Sequence, residues 1–162
     1  MIVVSDTSSI SGLYLIGQID LLPKLFGNVI IPVTVANELK HLANFGHDLD
    51  ILFKSEWLST QTAVESPKLL QLRNELDPGE AEAISLAKDL QADLLLIDEI
   101  KGRRVAIEEG LKIIGIIGIL LEAKEERLIP FIKPFMDRLR AKAKFRISPA
   151  LYLAVLTQAD EL

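Results

Sequence analysis

Short apolar runs rich in β-branched residues alternate with helix-like segments along most of this chain. The runs 2–4, 29–31, 93–97 and 112–114 each stop at polar or turn-forming residues, and a segment with helical spacing follows each one. Parallel strands joined through helices make right-handed crossovers. The alternation therefore predicts an α/β fold, a three-layer α/β/α sandwich around a mainly parallel sheet of four to five strands.

The helical segments are predicted from apolar residues that recur every three or four positions. Between Asn44 and Ser66 the pattern is mixed and indicates only a short helix and an edge strand. With 162 residues, the chain has the size of one compact domain, and we interpret it as a single domain, 1–162, with a helical C-terminal extension from about 119–162. The predicted helices are 10–16, 20–26, 33–42, 69–76, 80–90, 102–109, 119–127, 132–143 and 149–159.

Composition restricts the chemistry that this chain can carry. It has no cysteine, which excludes disulfides, thiolate metal sites and a cysteine nucleophile, and its two histidines, His41 and His47, leave little for a zinc site. The net charge of -5 argues against a protein that coats nucleic acid by bulk charge. Because cysteine is absent and histidine is scarce, we expect oxygen atoms to hold any metal. No membrane span or signal peptide is recognisable, so we expect a soluble cytoplasmic protein.

Four acidic residues are predicted to meet at one end of the sheet. Asp6 and Asp98 directly follow predicted strands, and ligands bind outside the carboxyl ends of parallel strands. Glu38 and Glu80 lie on helices that begin at the same end, in register with the apolar stripe of each helix. Converging carboxylates repel each other unless a cation lies between them, and oxygen-only ligation suits Mg²⁺ or Mn²⁺. Such a site suits phosphodiester hydrolysis without a side-chain nucleophile.

Each acid also fits a local structural role. Asp6 and Asp98 stand where a helix N-cap is expected, and Asp77 with Glu80 fits a capping box. Glu38 fits a half-exposed position, paired with Lys40 or His41. Local capping does not explain why all four acids fall at the same end of the sheet.

The order and spacing of these motifs resemble the PIN-domain family, particularly the VapC-like nucleases of prokaryotic toxin-antitoxin systems. The resemblance implies a metal-dependent endoribonuclease whose catalytic, metal-binding residues are Asp6, Glu38, Glu80 and Asp98. The interval of eighteen positions from Glu80 to Asp98 is usual in that group and favours Glu80 over Glu82. The motifs that carry the resemblance are Asp6-Thr7-Ser8, Val35-x-x-Glu38-Leu39, Gly79-Glu80-Ala81-Glu82-Ala83-Ile84, Leu96-Ile97-Asp98, Leu120-Leu121-x-Ala123-Lys124 and Phe145-Arg146-Ile147-Ser148.

Further roles follow from the same resemblance. Ser8 matches a hydroxyl residue that supports the first acid, and Glu99 is either a fifth metal ligand or a solvated turn residue. Close relatives carry two aspartates and then arginines after the fourth strand, and a hydroxyl residue where this chain has Ile116; both departures concern substrate contact. The implied partners are an RNA substrate, a cognate antitoxin and a second copy of the chain in a homodimer.

Basic residues lie in two groups that are candidates for phosphate contact. The alternative for both groups is a solvated helix face. A second interpretation of the whole chain is a catalytically inactive PIN-like protein that binds RNA or a partner. The candidate RNA-binding residues are Lys101, Arg103, Arg104, Arg138 and Arg140.

Overall fold

The computed structural model of this protein describes residues 1–43, 49–143 and 145–162; His47, Lys144 and the start of the mixed segment after Ala43 lie outside the described residues. The strands are β1 (Val3–Ser5), β2 (Val29–Pro32), β3 (Leu58–Gln61), β4 (Leu94–Leu96) and β5 (Ile113–Ile114). The helices of the described residues are α1 (Thr7–Leu15), α2 (Leu21–Phe26), α3 (Val33–Ala43), α4 (Asp50–Phe53), α5 (Pro67–Glu75), α6 (Pro78–Asp89), α7 (Ile100–Glu108), α8 (Ile116–Glu125), α9 (Lys133–Lys142) and α10 (Pro149–Gln158).

The five strands form one parallel sheet with the order β3-β2-β1-β4-β5. The central strand β1 pairs with β2 on one side, where Val4 lies opposite Ile30, and with β4 on the other, where Val4 lies opposite Leu95. The order of the strands reverses on either side of β1, so the crevice for a ligand is expected at the carboxyl ends of β1 and β4. This is where Asp6 and Asp98 lie.

Helices cover both faces of the sheet, which confirms the predicted three-layer α/β/α sandwich. Neighbouring residues of one strand point to opposite faces, and Val3 and Val4 accordingly belong to two separate hydrophobic cores. The core around Val3 draws on α1, α2, α3 and the three C-terminal helices, while the core around Val4 draws on α5, α6 and α7. The strands read as continuous apolar runs because both of their faces are buried.

Among the last three helices, the largest difference from the predicted boundaries is at the start of the first one. Helix α8 begins at Ile116 and not at residue 119, because the amide of Ile116 donates to Oδ1 of Asp98 at 2.9 Å. A carboxylate from another part of the chain therefore satisfies an amide of the first turn, which has no partner within the helix. Ile119, Met136 and Val155, one from each helix, are buried in the core that includes β1.

Helices α1 and α2 bury leucine side chains in the core. Leu13 and Leu21 are 0% and 3% exposed, and Leu15 is half-buried. These three leucines therefore do not form an exposed apolar surface. Within the described ranges, no helix has the length and apolar character needed to cross a membrane.

Candidate active site

Asp6 lies immediately beyond β1 and begins helix α1 as its N-cap. Its Oδ1 accepts the amide hydrogen of Ser9 at 2.9 Å, and its Oδ2 faces the amide of Asp98 at 3.4 Å. The side chain is 1% exposed. Burial, and then repulsion from Asp98, raise the pKa of Asp6 to about 7. The capping role and the place in an acidic cluster are therefore both correct for this residue.

Asp98 follows β4 at the neighbouring strand end, and its carboxylate is held from two directions. Ser9 Oγ donates to Oδ2 at 2.8 Å, and the amide of Ile116 donates to Oδ1 at 2.9 Å. Burial raises the pKa of Asp98, and these two hydrogen bonds oppose that rise. Asp98 thus caps α8, and not α7, whose N-cap is Glu99.

Glu38 and Glu80 approach the same place from α3 and α6. The hydroxyl of Thr7 donates to Oε2 of Glu38. Glu80 Oε2 is buried and has no hydrogen-bond partner in the described part of the chain. Burial comes first among the causes that raise the pKa of Glu80 to about 7, followed by repulsion from Asp6 and weaker repulsion from other acids, including Glu38. The structure therefore brings together all four predicted acids.

The capping box predicted for α6 does not form. Asp77 is the N-cap of the helix but makes no side-chain hydrogen bond to it. Glu82, the competing acid, turns to the other side of α6, where its Oε1 accepts from Arg73 at 3.2 Å. Glu80 is consequently left for the acidic cluster.

Three glycines leave room for three of these carboxylates. A Cβ atom on Gly79 would lie 2.7 Å from Oε2 of Glu38, and one on Gly102 would collide with Oε2 of Glu80. A Cβ on Gly115 would lie 2.7 Å from Oδ1 of Asp98. Such distances are shorter than van der Waals contact, so any side chain at these positions would displace a carboxylate.

The donor set fits a divalent cation. Among residues 1–43, 49–143 and 145–162, no three acidic or imidazole side chains already stand as a preformed metal-ligand group. The carboxylates instead accept hydrogen bonds from Thr7, Ser9 and Ile116, and Glu80 Oε2 accepts none from a described residue. Carboxylate oxygens are the hard ligands that Mg²⁺ and Mn²⁺ prefer, and a bound cation would relieve the repulsion that helps to raise the pKa of Asp6 and of Glu80.

The two secondary candidates take different places. Glu99 is exposed, yet its charge contributes to the raised pKa of both Glu80 and Asp98, so it lies at the edge of the cluster. Ser8 lines a cleft beside Asp98, and the hydroxyl that reaches a carboxylate of the strand ends is that of Ser9. The roles of Thr7 and Ser9 were not predicted, although the run of hydroxyl residues after Asp6 was an available signal.

The predicted basic residues divide into one near the acids and four elsewhere. Arg103 donates to the carbonyl of Ile97 at 3.0 Å, and its charge opposes the rise that burial causes in the pKa of Asp98. Lys101 is exposed on α7, and Arg104 faces Glu108 at 3.9 Å. On α9, Arg138 stacks on Phe135 with 5.4 Å from its guanidinium carbon to the ring centre, and Arg140 stacks on Tyr152 at 4.0 Å.

A cleft of about 530 Å³ opens next to Asp98 and Glu99. Its walls come from α1, from the turn between β4 and α7, and from the segment after α9, which contributes Phe145 and Arg146. The proximity of Arg146 to the acids was not predicted, because its separation of 48 residues from Asp98 (146 minus 98) gives no local signal.

Comparisons with known proteins agree with this architecture. A family model described as "DUF3368: PIN domain" matches residues 2–161. No curated protein matches the chain at a significant level. Among solved structures, it is similar to a PilT N-terminus domain protein, SSO1118, from the hyperthermophilic archaeon Sulfolobus solfataricus P2, with 21% identity and a TM-score of 0.58 over 76% of this chain and 93% of that chain. That likeness concerns the fold. Because the family model spans nearly all of its residues, this chain belongs to the PIN-domain family.

Proposed function

We propose that this chain is a Mg²⁺- or Mn²⁺-dependent endoribonuclease that hydrolyses phosphodiester bonds in RNA. The observation that carries the proposal is the convergence of Asp6, Glu38, Glu80 and Asp98 at the switch point of the sheet, with raised pKa values for three of them. Buried acids that repel each other destabilise the folded chain, so a structure keeps them together when a cation compensates.

The four acids would hold the ion, and the remaining groups orient them. When bound, the ion supplies an activated water and neutralises charge on the phosphate. Ser9 donates one hydrogen bond to each of the two aspartates, through its amide to Asp6 and through its hydroxyl to Asp98, which fixes their separation. The hydroxyl of Thr7 orients Glu38 by donating a hydrogen bond to its carboxylate. Arg103, which lies beside Asp98, would bind a phosphate oxygen of the substrate.

The same proposal includes a biological role. The chain acts in the cytoplasm as a homodimer and as the toxin of a prokaryotic toxin-antitoxin pair, and a cognate antitoxin inhibits it. This part is supported by membership of the PIN-domain family and by the resemblance of its ordered motifs to VapC-like nucleases. Co-expression with the neighbouring gene product should relieve any growth arrest that the chain causes, and light scattering should give twice the monomer mass.

Metal titration and RNA cleavage together test the enzymatic part. Calorimetry on metal-stripped protein should show binding of Mn²⁺ and Mg²⁺ to the wild type and no binding to Asp98→Asn. Wild-type protein should cleave RNA only with a divalent ion, and the variant should not. Absence of metal binding up to millimolar concentrations would contradict the nuclease.

A second candidate is an inactive PIN-like protein that binds RNA or a partner. It is favoured by the two hydrogen bonds of Asp98, which give its carboxylate a structural role as the cap of α8. In that case RNA binding would be independent of divalent metal. It would also be unaffected by Glu80→Gln, because Oε2 of Glu80 has no hydrogen-bond partner among the described residues.

A further inference from the structure

We propose that the cleft beside Asp98 is a subsite for one unpaired nucleotide of the substrate strand, with Phe145 as the stacking surface and Arg146 as the phosphate contact. This inference rests on the proposed function and extends it to the class of RNA that the site accepts. Asp98 and Glu99 line the cleft at its acidic end, so a strand bound there continues directly into the acidic cluster.

The lining of the cleft matches the parts of a nucleotide. Leu15, Ile100 and Phe145 give an apolar wall, and Ser8 and Ser11 contribute hydroxyl groups. Nucleobases stack on aromatic side chains through their flat faces, and their polar edges take hydrogen bonds from groups such as hydroxyls. The backbone of Phe145 is fixed, because its amide donates to the carbonyl of Leu139 at 3.0 Å.

The charge in the cleft supports a nucleic-acid occupant. Arg146 is exposed and, unlike Arg138 and Arg140, has no hydrogen bond or ion pair with another described residue. A single free guanidinium beside an acidic edge is suited to bind a phosphate that flanks the base. Ile100 lines the same cleft and is 87% exposed, so its apolar side chain is free to pack against a bound base.

The size of the cleft selects an unpaired nucleotide. A cleft of about 530 Å³ has room for an unpaired nucleotide but not for a duplex, whose bases are stacked and paired inside. The subsite therefore predicts that the protein binds single-stranded RNA, or a splayed loop nucleotide, in preference to a double helix.

Binding measurements on an inactive background test the subsite separately from catalysis. Glu80→Gln keeps every residue of the cleft, since Glu80 is not among its lining residues. Fluorescence anisotropy would follow a labelled, unstructured RNA oligonucleotide and the same strand in a duplex. In this background, Phe145→Ala should weaken binding of the single strand by about tenfold, and Phe145→Trp should preserve it. The matched control is Phe131→Ala, an exposed aromatic that lies outside the cleft.

The salt dependence of binding tests the phosphate contact. Arg146→Ala should reduce the slope of log affinity against log salt concentration by about 0.7, the value for losing one phosphate contact to a single strand. The control is Lys112→Ala, which removes one exposed positive charge just before β5. Lys112 lies at the amino ends of the strands, away from the cleft, so its loss should leave the slope unchanged.

The outcomes separate this inference from the proposed function. Equal affinity for duplex and single strand, no effect of Phe145→Ala, or an equal loss in Phe131→Ala would each overturn the subsite, even if the wild type cleaves RNA. If the wild type cleaves no RNA while binding still depends on Phe145 and Arg146, the nuclease proposal fails and the subsite stands.

Discussion

The hydroxyl of Ser9 donates a hydrogen bond to Oδ2 of Asp98 across 2.8 Å, while the amide of the same serine donates to Asp6. One residue at the start of α1 thus connects the acids at the ends of two neighbouring strands. Ser9 is 0% exposed, so water does not replace its hydroxyl if the side chain is shortened. The relative position of Asp6 and Asp98 therefore depends on this serine.

Ser9→Ala should weaken metal binding and RNA cleavage more than Ser8→Ala does. The first change removes the hydroxyl bond to Asp98 but keeps the amide bond to Asp6, whereas the second keeps both bonds. Partners that orient metal ligands are typically worth about 10- to 100-fold in affinity or activity. Calorimetry with Mn²⁺ and a cleavage assay measure the difference, and an equal effect of the two substitutions would contradict this role.

Asp98→Asn should abolish metal binding and leave the metal-free fold intact. The substitution preserves the volume of the side chain and an oxygen for the amide of Ile116, while it removes a buried charge that repels Asp6. We expect the free energy of unfolding without metal to stay within about 1 kcal/mol of the wild type or to increase. Urea denaturation in the presence of a chelator measures it. A much larger loss of stability would argue that the acids do not repel each other.

Metal-free protein should be more stable at mildly acidic pH than at alkaline pH. Burial raises the pKa of Asp6 and of Glu80 to about 7, and it also raises that of Asp98. In the unfolded chain these groups titrate near pH 4. Between these values the folded state binds more protons, so their contribution to stability is fully present below about pH 4 and is lost as the pH rises through about 7.

Thermal unfolding in a chelator checks this dependence. From about pH 8 to about pH 5.5 we expect Tm to rise by at least about 3 °C, equivalent to roughly 1 kcal/mol for a chain of this size. Glu109, Asp137 and Glu161 have lowered pKa values, so their contributions are lost only at more acidic pH. Glu80→Gln should reduce the rise, and the exposed Glu125→Gln is its control. A fall in Tm toward pH 5.5 would refute the assignment.

Gly102→Ala should reduce metal affinity while changing stability little. The new Cβ would collide with Oε2 of Glu80, which is the end of a flexible side chain and can move away. Alanine within a helix otherwise stabilises by about 1 kcal/mol relative to glycine. We expect roughly tenfold weaker Mn²⁺ binding, because Glu80 would be displaced from its position as a metal ligand. In a Glu80→Ala background the same change should no longer affect metal binding; a persistent effect would point to Ile97, the other close side chain.

Much of the fold and of the acidic cluster was predictable from the sequence alone. Strands buried on both faces appear as unbroken apolar runs, and the helix spacing places Glu38 and Glu80 on inward faces. Because the carboxyl ends of parallel strands share one edge of the sheet, the sequence alone predicts that Asp6 and Asp98 meet.

Other features were decided only by the tertiary structure. Three of them join residues that are far apart in sequence. Asp98 accepts a hydrogen bond from Ser9, and not from Ser8, and it caps α8 at Ile116. Phe145 also lies at the cleft beside Asp98. Local periodicity determines which residues form a strand or helix and which face they bury. The order of the strands and the packing of the C-terminal helices determine which of those faces meet, and that information lies in long-range contacts that no local pattern encodes.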